Sequence, residues 1–83
     1  MNATVEQKKA LRKIRGGAVA EVARNTLVKG CIKQVAYIQF WADVQMYGLW
    51  EALLYAEGYE RKGDFAEGTV ESTFQAVLRK AKL

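Results

Sequence analysis

The chain has 83 residues, 51% hydrophobic and 27% charged, with a formal net charge of +4, no histidine, no proline and one cysteine. So short a chain buries only roughly 60–65% of the surface its unfolded form exposes, which makes helix packing and self-association the expected sources of stability. Cys31 has no partner for an internal disulfide, a lone thiolate without histidine does not furnish a zinc site, and the commonest general base is missing.

No metal, no cofactor and no catalysis are therefore expected. The lone cysteine suits a reducing, cytoplasmic compartment, and the charged N-terminal stretch lacks the continuous apolar run of a secretory signal. Residues 35–56 have the length of a membrane span, but Gln39, Asp43, Gln45 and Glu51 interrupt them, so no membrane segment is expected.

Glycines are the only punctuation, and they divide the chain into four helical candidates: an all-α, single-domain small bundle over 1–83. Thr4-Val5-Glu6-Gln7 fits a capping box, predicting a first helix over about 5–15 that ends at Gly16-Gly17. This helix is basic, with Leu11 and Ile14 as its apolar side. A second helix over about 18–29 sets Val19, Val22, Ala23, Thr26 and Leu27 on one face, with Gly30 as a left-handed stop.

A third helix is predicted over about 32–62. Val35, Ile38, Ala42, Met46, Leu49, Leu53 and Ala56 fall on one stripe at helical spacing. As one straight rod it would be roughly 46 Å long, more than a compact domain of this size spans, so a kink is expected at Gly48. Gly63 is placed to end it in a left-handed conformation. Asp64 with Glu67 suggests a second capping box for a last helix over about 65–82, which sets Val70, Phe74, Val77, Leu78 and Ala81 on one face.

The turn carrying Tyr59, Gly63, Asp64, Phe65 and Gly68 resembles the inter-helix turn of a tetratricopeptide repeat over about ten residues. The resemblance implies a helix–turn–helix hairpin. No second copy of the repeat follows, and a single one cannot bury its own core, so the family's peptide binding is not carried over.

The third helix is apolar on its other side too, where the stretch YIQFWADVQMYGLW places five aromatics in fourteen residues. With the aliphatic stripe assigned to the core, the aromatic side becomes the candidate interface, because Trp and Tyr dominate interface energetics; the alternative is a four-helix globule in which the long helix is central and its aromatics are core. Tyr37, Phe40, Trp41, Tyr47 and Trp50 are its expected anchors. The expected function is a non-enzymatic binding protein that docks on a protein partner and self-associates, plausibly as a dimer. On size alone it is a regulator or inhibitor of the kind phages and mobile elements carry.

The alternative is nucleic-acid binding. Residues 1–33 hold eight basic side chains against Glu6 and Glu21, a net of +6, while residues 34–83 carry a net of −2. Lys8, Lys9, Arg12, Lys13, Arg15 and Arg24 are the candidate phosphate contacts, and binding through them would be mostly electrostatic. Three other clusters read as structural. Cys31 suits a small buried hydrophobe. Asp43 and Glu51, eight residues apart, stand about 12 Å from each other along a helix, too far for paired acid–base work, and are expected to meet basic residues of the first two helices or solvent. The acidic run Glu57, Glu60, Asp64, Glu67 and Glu71 reads as solvated surface.

Overall fold

In a computed structural model describing residues 1–83, the chain forms five α-helices and no strand: α1 (Val5–Arg12), α2 (Gly17–Lys29), α3 (Gln34–Tyr47), α4 (Leu49–Arg61) and α5 (Thr69–Ala81). The all-helical class is as expected; the count is five because the long third helix is cut in two. The capping box at α1 is formed: Gln7 N–H donates to Thr4 Oγ1 at 3.1 Å, and Thr4 N–H donates to Gln7 Oε1 at 2.9 Å. The helix stops at Arg12, three residues earlier than expected, and Leu11 is its buried anchor.

The cut falls at Gly48, which adopts φ 91° and ψ 167°, a conformation essentially reserved for glycine. Its surroundings demand it. The N–H of Leu49 donates to the Ile14 carbonyl at 2.9 Å, leaving the helical ladder. A Cβ on residue 48 would run into the backbone carbonyl of Arg12. The end of α1 is thus wedged into the break, and the Gln45 side chain secures it by donating to the Arg15 carbonyl at 2.9 Å. Folded at Gly48, α3 and α4 pack along each other, and the molecule measures 30 × 22 × 18 Å.

At its far end α4 closes as the sequence predicts. Gly63, at φ 88°, donates to the Glu60 carbonyl at 2.9 Å, and Asp64 N–H donates to the Tyr59 carbonyl at 2.9 Å, the paired bonds of a Schellman stop. The expected capping box of Asp64 and Glu67 does not form, and α5 begins at Thr69 instead of Phe65. Phe65 is fully buried, and the segment around it pairs with the end of α2. Ala66 N–H donates to the Gly30 carbonyl at 2.8 Å and Ile32 N–H to the Asp64 carbonyl at 2.9 Å. The cap of α5 comes from Glu60 on α4, whose carboxylate accepts from Val70 N–H at 2.8 Å and Gly68 N–H at 3.2 Å. A carboxylate there satisfies orphan donors and meets the positive end of the helix dipole.

The helix after the repeat-like turn packs chiefly on α2, with α4 a lesser neighbour. Gly30 ends α2 for a steric reason and not as a left-handed stop: its φ is −103°, and any Cβ there would collide with the Thr69 side chain of α5. The core that results draws on every helix: Leu11, Leu27, Phe40, Val44, Leu49, Leu53, Phe74 and Val77 are fully buried in one cluster.

Candidate functional site

The five aromatic anchors expected to form one surface are separated by the fold. Phe40 and Trp50 are core residues, and Trp50 meets Phe74 of α5 edge-on at 5.9 Å. Tyr37 and Trp41 are half-buried and pack against the core. Only Tyr47 is exposed, at 45%, with its ring edge-on to Tyr55 at 5.7 Å.

The aliphatic stripe is likewise divided, and on α3 its assignment to the core is reversed. Leu49, Leu53 and Ala56, on α4, are fully buried. Val35, Ile38 and Met46, on α3, are 69%, 59% and 68% exposed, and Ala42 between them is exposed too. The two apolar sides of α3 compete for one interior. An aromatic side chain removes 150–250 Å² from water, so the side with Phe40, Val44, Tyr37 and Trp41 turns inward, and the smaller aliphatics are left outside.

What remains outside on α3 has a distinctive chemistry. Its exposed residues up to Met46 are Gln34, Val35, Ile38, Gln39, Ala42, Gln45 and Met46, and none is ionisable. The only charged side chain in the helix, Asp43, points inward and is 5% exposed. In a chain that is 27% charged, a whole helix face without a charge stands apart. Ile32, exposed just before the helix, extends this surface.

Three of the six basic candidates are committed within the molecule. Lys8 lies 5.6 Å above the Trp50 ring, and Arg24 stacks 3.7 Å from the Trp41 ring while pairing with Glu21 at 3.0 Å. Such cation–π stacking holds the cation against an apolar ring. Arg12 donates to Glu51 at 2.6 Å, which meets the expectation that Glu51 finds a basic partner on the first helices. Lys9, Lys13 and Arg15 are exposed and form no ion pair.

Asp43 does not follow Glu51. Its Oδ1 accepts from Gln39 Nε2 at 3.1 Å, no cation pairs with it, and the Tyr59 hydroxyl is its other polar neighbour. Burial, and next to it the Asp43 charge, pushes the phenol of Tyr59 above its ordinary value. The sequence offered no signal for an inward carboxylate, since position 43 lies at the edge between the two apolar sides. Cys31 is half-buried, its thiol directed at the Lys33 carbonyl. A shallow hollow at the start of α5, lined by Thr26, Lys29, Glu67, Thr69 and Ser72, contains no hydrophobic side chain, and the adjoining helix N-terminus is already taken by Glu60. No helix is long and apolar enough to cross a membrane.

No family model, no curated protein and no solved structure matches this chain.

Proposed function

We propose that this chain is a non-catalytic binding protein that engages a protein through the outward face of α3, and so acts as a regulator or inhibitor by occupying a surface of its target. The observation that carries this reading is the run Val35, Ile38, Ala42, Met46: solvent-exposed, apolar and without an ionisable neighbour on its own helix face. Isolated exposed apolar residues are ordinary, but a contiguous uncharged patch is the signature of an interaction site. Phe40 backs that face from the core side of the same helix.

The test is photo-crosslinking in the expressing cell, with a photoreactive amino acid at Ile38 and, as a control, at Gln75 on the exposed side of α5. Protein adducts at position 38 that are absent at position 75 support the reading. No adduct, or equal labelling at both positions, overturns it.

Nucleic-acid binding is the second reading, favoured by Lys9, Lys13 and Arg15 standing exposed and unpaired. Three phosphate contacts on duplex DNA give a slope of about −3 in log affinity against log salt. A slope near zero, or no binding at low salt, removes this alternative.

A further inference from the structure

We infer that the occupant of the α3 face is a second copy of this chain, bound about a two-fold axis that passes beside Ala42 with the two α3 helices antiparallel. This rests on the reading of α3 as a docking face and names its partner.

Three observations carry it. The first is charge. A partner with an ionised surface would leave its charges without counter-charges against this face, and burying an unpaired charge is costly. A second copy brings a helix face as free of charge as the first, with Arg15, Arg24 and Lys33 confined to its rim.

The second is spacing. Ile38 and Met46 lie four residues either side of Ala42. In an antiparallel pair centred on Ala42, Ile38 packs against the partner's Met46, and Met46 against the partner's Ile38. The small side chain at the crossing point lets the helices approach closely, large residues filling the space on both sides. Such a contact is isologous and closed, so it stops at two copies. The antiparallel sense also sets each helix N-terminus beside a C-terminus of opposite partial charge and keeps the two copies of Lys33 at opposite ends.

The third is area. At their observed exposures, Ile32, Val35, Ile38 and Met46 present roughly 500 Å² together, near the upper end for the largest patch on a monomer. In that register Val35 and Ile32 lie past the end of the partner's α3 at Tyr47, so two copies bury on the order of 1,000 Å² at most once Ala42 and the glutamines are counted, the size of a transient interface. The dimer is accordingly weak, with a Kd of roughly 1–100 µM. Each copy carries +4, so its stability is unchanged or improved by added salt, the reverse of an ionic partner.

Sedimentation equilibrium over about 5–500 µM protein tests this directly. A monomer–dimer equilibrium is expected, with Ile38→Glu or Met46→Glu raising the dissociation constant at least about tenfold while the circular dichroism and thermal midpoint stay unchanged. The register is tested by the double variant Ile38→Glu/Met46→Lys. Antiparallel pairing brings opposite charges together twice and restores the dimer that Ile38→Glu alone abolishes; a parallel pair would oppose like charges and stay monomeric. A wild-type chain that remains monomeric throughout, or a dimer indifferent to Ile38→Glu, overturns the inference. If the monomer nevertheless crosslinks through position 38 to another protein in cells, the docking face stands and only its occupant is wrong; if it crosslinks to nothing, both fall.

Discussion

Helices α3 and α4 are two halves of one apolar run, and they use it in opposite ways. On α4 the aliphatic stripe is the core: Leu49, Leu53 and Ala56 are fully buried, and Leu54 and Tyr55 face solvent. On α3 the same stripe lies outside, and the opposite side supplies Phe40 and Val44 to the interior. Periodicity identifies which residues share a face of a helix. It does not say which face turns inward when both are apolar, and one glycine between two helices is enough to break the continuity. The difference buries the aliphatic stripe of α4 and leaves that of α3 on the surface.

The most severe test of this contrast is the hinge itself. Gly48→Ala places a side chain against the Arg12 carbonyl in a backbone region alanine avoids, and should cost on the order of 5 kcal/mol, read by urea unfolding. A loss below 1 kcal/mol would mean the break is not fixed by this contact. Next, Phe40→Ala should destabilise by about 4 kcal/mol, and Ile38→Ala, two positions earlier in the same helix, by less than about 0.5 kcal/mol. Both are measured dilute enough to keep the chain monomeric. Equal losses would show that α3 is buried on both sides.

A smaller effect separates the far end of α4 from the hinge. Glu60→Gln keeps the shape of the cap on α5 but removes its charge and one of its two acceptors, for an expected loss of about 1–2 kcal/mol whose charge-dependent part shrinks in high salt. The smallest effect concerns Tyr59. Its folded-state pKa is raised, so its protonated form is favoured by folding; that stabilisation is complete below pH 10.0 and is lost as pH rises through the raised value. Tyrosinate absorbance should show Tyr59 ionising late, and Asp43→Asn should bring it back towards its ordinary value. No change in that variant would leave burial, with the neighbouring Tyr55 and Asp64, as the cause.

Local signals were legible wherever the determinant was local. The Thr4–Gln7 box, the left-handed Gly63 and the α5 stripe of Val70, Phe74, Val77 and Leu78 all depend on residues within a few positions of one another. What was not legible was set at a distance. The depth of the break at Gly48 is dictated by backbone atoms of Arg12 and Ile14, the cap of α5 by a carboxylate eight to ten residues upstream, and the start of α5 by pairing of the Phe65 segment with the end of α2. The inward side of α3 was misjudged for the same reason. Val35, Ile38, Ala42 and Met46 were visible as one face, but the choice between two apolar faces rests on how much surface each removes from water in a core built by other helices.

One hydrogen bond described above has a further consequence for how the molecule breathes. The amide of Leu49 is held by the carbonyl of Ile14, so it is released only when the N-terminal segment lifts from the hinge. Its hydrogen-exchange rate therefore reports that opening alone, as a single-residue gauge of the latch. The basic helix is at once a charged surface and the clasp that closes the bend. Cutting it away would loosen α3 from α4 along with any phosphate contact, and only charge substitutions at Lys9, Lys13 and Arg15 can separate the two roles.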